Sequence, residues 1–170
     1  FFHVLVLAHG FIVWAMVLPS VTRISKRGGD LSIRLLAANP LRTVGVIHNL
    51  VAIEAATVKS RVRAVRNLGA RRVRAAAAPL ISKLHDPAIE VREASIEALG
   101  DIGTDEAVDA LLALLREDDC ECRPAVVRAL GAAGSARTAG VLEHELTADD
   151  RETVVEAALA LGRLGDTGAI

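Results

Sequence analysis

The sequence predicts an all-α protein in three parts: a transmembrane helix over residues 1–22, a basic helical linker over 23–57 and an α-solenoid of two-helix repeats over 58–170. Three observations lead to this fold class. The first 22 residues carry no charge, a Leu-Gly pair returns with a 31-residue period, and no aromatic residue follows Trp14. With 52% hydrophobic and 24% charged residues the chain can build a core, so wholesale disorder is excluded.

The N-terminal run FFHVLVLAHGFIVWAMVLPSVT contains no Asp, Glu, Lys or Arg. As a helix it would be about 33 Å long, which matches a hydrocarbon core of about 30 Å. Arg23, Lys26 and Arg27 follow it, so the positive-inside rule predicts a bacterial inner-membrane span with residues 23–170 in the cytoplasm. Because the chain does not begin with Met, we expect this run to be the last span of a larger membrane domain. A secretory signal peptide is the alternative.

Two histidines, His3 and His9, lie within this apolar run. His9 is the deeper of the two and is the candidate intramembrane polar residue, suited to a proton relay or a substrate contact. A neutral imidazole packed against neighbouring helices is the more ordinary interpretation of the same residue.

The linker over 23–57 is predicted to contain two helices. Gly28 and Gly29 form a turn before a short helix over 31–38, and Asn39-Pro40 separates that helix from a second one over about 41–56. Two interpretations of these helices stay open. They lie at the lipid headgroup boundary with their basic side on anionic lipid, or they cap the core of the repeats.

The net charge of −1 hides a strong asymmetry along the chain. Residues 23–85 hold 13 Lys and Arg against two acids, a net +11, whereas residues 86–170 hold 7 basic and 19 acidic residues, a net −12. The densest basic stretch is expected to face anionic lipid, at about 1 kcal/mol per charge, or plain solvent. Nucleic acid is not expected as a partner, because no aromatic side chain is present there to stack on a base. This basic cluster consists of Lys59, Arg61, Arg63, Arg66, Arg71, Arg72 and Arg74.

Self-similarity over residues 58–170 is the strongest signal in the chain. The Leu-Gly pairs recur with a 31-residue period, and a second glycine follows three positions later in every unit except the first, which has Arg72 there. Two further leucine series keep the same register. The glycines of the pairs are Gly69, Gly100, Gly131 and Gly162; the leucine series are Leu80, Leu111, Leu142 and Leu84, Leu115, Leu146.

Each unit is predicted to fold as two helices, A and B. In the second unit Asp86-Pro87 opens helix A, which ends at Leu99-Gly100 and is followed by helix B. The recurrent glycine is predicted to act at the close of helix A, where a side chain would clash or force a strained backbone. Three units and helix A of a fourth are visible, and we expect the array to continue beyond residue 170 because a short helix pair buries its apolar faces only by stacking.

Residues that could carry chemistry are few. Cys120 and Cys122 are the only cysteines, and with His144 nearby they could bind a metal, but no second pair completes a four-ligand set. Reduced structural cysteines are therefore expected. His48 and His85 have no partner at triad or ligand spacing, and no nucleophile elbow or phosphate loop is present. We expect no catalytic residue, no metal and no cofactor, and hence a protein that is not an enzyme.

The segment DPAIEVREASIEALGDIGTDEAVDALLALL resembles the short HEAT-like repeats of the kind also found in phycobilisome lyases, and this resemblance covers residues 58–170. It implies an α-solenoid that binds a protein partner along an extended surface. The order of apolar span, basic linker bearing LLAANPLRTVGVIHNLV and HEAT-like repeats also resembles the end of bacterial major-facilitator-type transporters with a C-terminal HEAT-like extension.

Two functions follow from these resemblances. The favoured one is a fragment of a membrane transporter whose cytoplasmic solenoid mediates protein–protein interaction or regulates the membrane domain. The alternative is a soluble HEAT-repeat chromophore lyase or lyase-like subunit.

Overall fold

The computed structural model describes residues 40–117 and 120–166. The predicted span over 1–22, its His9 and the predicted helix over 31–38 lie outside the described residues. The chain divides into two compact units, Phe1–Val51 and Ala52–Ile170. Among the described helices, none combines the length and the apolar composition that a membrane crossing requires.

The regular structure of the described residues is helical. Short 3-10 turns cover Arg74–Ala76 and Ala136–Thr138. The helices are α1 Pro40–Ala52, α2 Val58–Ala70, α3 Ala77–Ile81, α4 Ile89–Ile102, α5 Asp105–Leu115, α6 Arg123–Ala133, α7 Ala139–Glu145 and α8 Arg151–Asp166.

Helices α2, α4, α6 and α8 are the A helices of four successive units, and each packs on the next. Helices α3, α5 and α7 are the B helices. The leucines that recur with the 31-residue period form the core between them, which confirms the all-α, HEAT-like repeat architecture predicted from their register. Fully buried members of these series are Leu68, Leu80, Leu99, Leu111, Leu130 and Leu142. Leu146, the last member of the second leucine series, is exposed.

The helix predicted over 41–56 is shorter than expected. It begins at Pro40 but ends at Ala52, where the Ala55 N–H donates to the Ala52 carbonyl in a turn. Thr57 is then extended, with φ −94° and ψ 133°, so the helix does not continue into α2. The early end leaves the carbonyls of Ala55 and Ala56 outside any helix, where a side chain described below binds them.

Helix α4 runs past the predicted end at Leu99-Gly100. It continues to Ile102, and the second glycine, Gly103, caps it with a left-handed φ of 60°. Gly134 caps α6 in the same way with φ 67°. The glycine of each Leu-Gly pair therefore lies inside its helix, and the prediction that it closes helix A is wrong. The glycine three positions later ends the helix, because it is the one that adopts positive φ.

The prediction that a side chain at the glycine of the Leu-Gly pair would clash is confirmed, because this glycine permits close packing of neighbouring A helices. A Cβ added at Gly69 would lie 2.6 Å from the Ala98 Cβ, and one added at Gly131 would lie 2.4 Å from the Ala160 Cβ. At Gly100 the nearest atom would be the Ala129 carbonyl oxygen at 2.8 Å. At three successive contacts the backbones of neighbouring A helices thus approach each other directly. A side chain on any of these three glycines would force the two helices apart.

Arg72 occupies the position of the capping glycines in the first unit, and it adopts their conformation with φ 48°. The turn closes with other hydrogen bonds than the one at Gly103: the Arg72 N–H donates to the Gly69 carbonyl at 2.7 Å and the Val73 N–H to the Leu68 carbonyl at 3.1 Å, whereas the Gly103 N–H donates to the Leu99 carbonyl at 3.0 Å. A residue with a Cβ in this region costs about 1–2 kcal/mol. The first unit therefore keeps a positive φ at this position at the expense of local strain.

Replacing Arg72 with Gly should remove this strain and raise the free energy of unfolding by about 0.5–1 kcal/mol, after the greater freedom of glycine in the unfolded chain is subtracted. Urea unfolding followed by circular dichroism measures the change. Arg71→Gly is the control, because Arg71 has an ordinary φ of −87° and should lose stability. Equal effects of both variants would contradict the assignment of strain to Arg72.

Candidate functional site

The basic cluster does not form one surface. Lys59, Arg63 and Arg66 lie on the exposed side of α2, whereas Arg71, Arg72 and Arg74 lie in the turn after its end. Arg61 points the other way and is largely buried, with 13% of its side chain exposed. Six of the seven charges are therefore on the surface, in two groups, and the seventh, that of Arg61, is largely withdrawn from solvent.

Arg61 joins two loops. Its Nη1 donates to the carbonyls of Ala55 at 3.1 Å and Ala56 at 3.4 Å, and its Nη2 donates to Asp86 Oδ1 at 2.9 Å. The Asp86 side chain is only 6% exposed and also accepts the Ala88 N–H at 3.0 Å, so it organises the start of α4. We call this arrangement the arginine clamp.

The clamp recurs in the next two units. Arg92 donates to the Asp86 carbonyl at 3.1 Å and pairs with Glu121, and Arg123 donates to the Leu115 carbonyl at 3.1 Å and pairs with buried Glu145 at 3.0 Å. The arginines, Arg61, Arg92 and Arg123, recur with the same 31-residue interval as the Leu-Gly pairs. Their carboxylate partners lie 25, 29 and 22 residues further along the chain, so no fixed spacing could have identified them.

Burial raises the pKa of the Asp86 carboxyl, but the hydrogen bond from Arg61, the Ala88 N–H and the nearby positive charges outweigh it, so its pKa is lowered overall. A carboxyl whose pKa is lower in the folded than in the unfolded state stabilises the fold above its unfolded pKa of about 3.9. That stability is lost as the pH falls through the folded pKa.

We therefore expect the free energy of unfolding to fall as the pH drops below about 4, with part of the loss due to Asp86. Chemical unfolding at a series of pH values measures this. Asp86→Asn should be less stable at neutral pH and should show a shallower acid slope, because asparagine does not titrate. An unchanged slope in this variant would show that Asp86 does not contribute.

Opposite charges lie side by side on the outward faces of α2 and α4. Four acidic residues of α4 share one exposed helix face, at positions separated by three or four residues. Helix α2 packs directly on α4, so this acidic stripe borders the basic side chains of α2. We call the combined surface the bipolar face: its basic half is Lys59, Arg63 and Arg66, and its acidic half is Glu90, Glu93, Glu97 and Asp101.

A shallow hollow of about 670 Å³ lies in the basic half of the bipolar face. Val58 and Val62 supply its apolar lining, and Lys59, Arg63 and Arg66 surround them together with Asn67 and Glu90. Sequence reasoning identified the charges but not the hollow, because it depends on how the start of α4 lies beside α2.

The cysteines border a second hollow, of about 360 Å³, between the second and third units. Cys120 is half-buried and Cys122 is buried. Burial raises the pKa of both thiols. Over residues 40–117 and 120–166, no three His, Cys, Asp or Glu side chains are grouped in a way that could hold a metal ion. Both thiols are therefore protonated at neutral pH, and protonated thiols are poor nucleophiles.

We expect a thiol reagent such as Ellman's reagent to label the native protein at least about 10-fold more slowly than the unfolded chain at pH 7, because the thiolate is the reactive form. In Cys120→Ser the remaining, more buried Cys122 should react more slowly than Cys120 does in Cys122→Ser. Rapid labelling of both native thiols would contradict the raised pKa values.

The three described histidines lie on the surface. His85 Nε2 is 4.0 Å from Glu117 Oε1, and His144 Nδ1 is 3.9 Å from Glu145 Oε1. His48 is exposed on α1.

Comparison with known proteins supports the repeat assignment. The family model for HEAT repeats matches residues 49–125. A chain from the complex of CpcE and CpcF of phycocyanin lyase from Nostoc sp. PCC7120 has a similar structure, with a TM-score of 0.60 and 23% sequence identity over 80% of this chain. The match covers 64% of that chain's length. The search of curated proteins found no match.

These findings correct two expectations. The favoured function, a transporter fragment, is wrong: the solved structure that shares this fold is a chain of a phycocyanin lyase complex, and none of the described helices could cross a membrane. The inner-membrane localisation is wrong for the same reason, and physically the described helices use their apolar residues to pack against one another. No support emerges for an anionic lipid surface as a partner or for the view that the chain is not an enzyme. The register of the leucines, the packing of the A helices and the family match together show an all-α protein of HEAT-like repeats.

Proposed function

We propose that this chain is a lyase-like subunit whose HEAT-like array holds a partner protein on the bipolar face. The observation that carries the proposal is the contrast within the basic cluster. The Arg61 guanidinium makes its contacts within the clamp, whereas Lys59, Arg63 and Arg66 are exposed beside an apolar hollow. Charges that the fold does not need, placed on an extended surface, are suited to recognition.

The bipolar face favours a partner with a complementary pattern. Acidic side chains of the partner would lie on α2, basic ones on α4, and an apolar side chain would enter the hollow between Val58 and Val62. Of the four acids of α4, Glu97 is paired with Arg128 at 3.6 Å within the array. Such a surface sets the orientation of a bound protein as well as its affinity, because reversing the partner would place like charges together.

The lyase-like part of the proposal rests on the fold shared with a chain of the phycocyanin lyase complex. A lyase that attaches a chromophore to a protein must hold the acceptor protein, and a solenoid surface is suited to that task. The described part of the array contains no aromatic side chain to stack on a tetrapyrrole. We therefore assign the array to protein recognition and not to the chromophore.

Titration of the full chain with chromophore-free phycocyanin subunits tests this proposal. We expect binding that weakens as salt rises, and at least about 10-fold weaker binding when Lys59, Arg63 and Arg66 are all replaced with Glu. The matched control replaces Arg71, Arg74 and Arg116 with Glu, which makes the same change in net charge elsewhere and should have a small effect. Absence of binding would refute the lyase-like assignment, and equal effects of the two triple variants would refute the bipolar face.

A further inference from the structure

The connection between helices A and B of the first unit carries three exposed arginines within four residues. They are Arg71, Arg72 and Arg74, and we call them the basic turn. Consecutive Cα atoms are about 3.8 Å apart, so the first and the last of these Cα atoms lie at most about 11 Å apart and the long side chains can reach one common group. Over residues 40–117 and 120–166, no carboxylate lies within ion-pair distance of any of the three.

The first two positions of this connection that can be compared with the second unit are locally less favourable than their equivalents there. Arg72 adopts φ 48°, whereas Gly103 adopts φ 60° without the cost of a Cβ. Val73 precedes the 3-10 turn and makes no capping hydrogen bond with its side chain. Its equivalent, Thr104, caps α5, since its Oγ1 accepts the Ala107 N–H at 3.3 Å.

Arg74 is unfavourable at its position because of its charge. It begins the 3-10 turn before α3, where the exposed N–H groups disfavour a cation, whereas Asp105 begins α5, where an anion is favoured. In the A–B connection of the third unit, Arg137 pairs with Asp109 at 2.6 Å and with Asp105 at 3.6 Å. Three adjacent residues that lower stability, with no ion pair in the described fold to compensate, indicate a function outside the fold.

We propose that the basic turn binds a phosphoryl group. Guanidinium groups donate paired hydrogen bonds to phosphate oxygens, and a phosphoryl group presents up to two negative charges and three acceptor oxygens at one point. Three cations within four residues match that density of charge better than they match a carboxylate, which carries one charge. Binding to the folded turn also offsets the strain at Arg72 by mass action. The basic turn lies outside the bipolar face, so this proposal is independent of the proposed function.

Isothermal titration calorimetry of the full chain tests the site with two probes, inorganic pyrophosphate and a phosphoserine peptide. We expect saturable binding of at least one probe, which weakens as salt rises. Tighter binding of pyrophosphate would identify a small phosphate ester as the source of the group. Tighter binding of the peptide would identify a phosphorylated protein.

Arg72→Gly is the central variant, because it should weaken binding at least about 10-fold while it raises the free energy of unfolding. Loss of binding together with a gain in stability excludes unfolding as the cause. The matched control is Arg116→Gly, which removes an exposed arginine with an ordinary φ of −81° at the end of α5. It should change the affinity for either probe by less than about twofold, since a distant exposed charge is screened.

Two further variants test the chemistry of the site. Arg72→Lys keeps the charge but not the paired hydrogen bonds, and it should weaken binding about 3-fold. A triple variant with Arg72→Gly, Val73→Thr and Arg74→Asp installs the residues of the second unit, and it should abolish binding and raise the melting temperature.

Three results would overturn the proposal. The first is the absence of saturable binding of both probes up to about 1 mM. The second is an equal effect of Arg72→Gly and Arg116→Gly on the affinity. The third is equal binding of a peptide that carries glutamate in place of phosphoserine, because a carboxylate would then be sufficient.

Discussion

Replacing Gly131 with Ala is expected to lower the free energy of unfolding by about 2 kcal/mol, because it overpacks the contact between two helices. The new methyl group would lie 2.4 Å from the Ala160 Cβ and 2.7 Å from the Ala160 Cα, so α6 and α8 must move apart. Overpacking of this kind costs about 1–3 kcal/mol, and the better helix propensity of Ala, at most about 1 kcal/mol, offsets only part of it. Denaturant unfolding of the dilute protein measures the difference.

Gly162→Ala is the matched control for this prediction. It is the same substitution at the same repeat position, but no atom lies within 4 Å of the added Cβ. It should therefore stabilise the chain, by up to about 1 kcal/mol, through helix propensity alone. The two variants should differ by roughly 3 kcal/mol in total. Equal stability of Gly131→Ala and Gly162→Ala would contradict the conclusion that Gly131 is needed for the close approach of α6 and α8.

Breaking the arginine clamp at Arg61 should have a second large effect. Arg61→Gln should lower the free energy of unfolding by about 3 kcal/mol, because it leaves the Asp86 carboxylate buried without its cation. The Ala55 and Ala56 carbonyls lose their donor at the same time. Urea unfolding at pH 7 of Arg61→Gln, Asp86→Asn and the double variant measures the coupling, which should amount to about 1–3 kcal/mol.

Arg63→Gln is the control on the same helix. It removes the same charge two residues away from an exposed position, and it should change stability by less than about 0.5 kcal/mol. A comparable loss in both variants would mean that net charge and not the clamp is responsible. This pair of variants also separates the structural member of the basic cluster from the members that are available to bind a partner.

The repeat register was predictable because it depends on local periodicity. Leucines that recur with a 31-residue period on one helix face must be buried together, so Leu99 and Leu130 could be assigned to the core without knowledge of the fold. Helix ends were less predictable. Gly100 and Gly103 are both glycines near the end of α4, and only the packing against Ala129 and the positive φ of Gly103 distinguish their roles.

The candidate site was predictable in part. The charges of the basic cluster are evident in the sequence. The different role of Arg61 from that of Lys59 and Arg63 is not, because it depends on a carboxylate 25 residues further along the chain. The hollow beside Val58 and Val62 arises where the start of α4 meets α2. Function was the least predictable, since the arrangement of an apolar run before repeats suggested a transporter, whereas the solved structure that shares the fold is a chain of a phycocyanin lyase complex.

By itself the sequence determined the all-α class, the HEAT-like period and the charge asymmetry, because each of these depends on residues close together in the chain or on composition. The tertiary structure decided which glycine approaches a neighbouring helix and which arginine is buried. These depend on contacts between residues 25 to 29 positions apart, whose spacing varies with loop length. Packing between helices, and not periodicity within them, sets such distances.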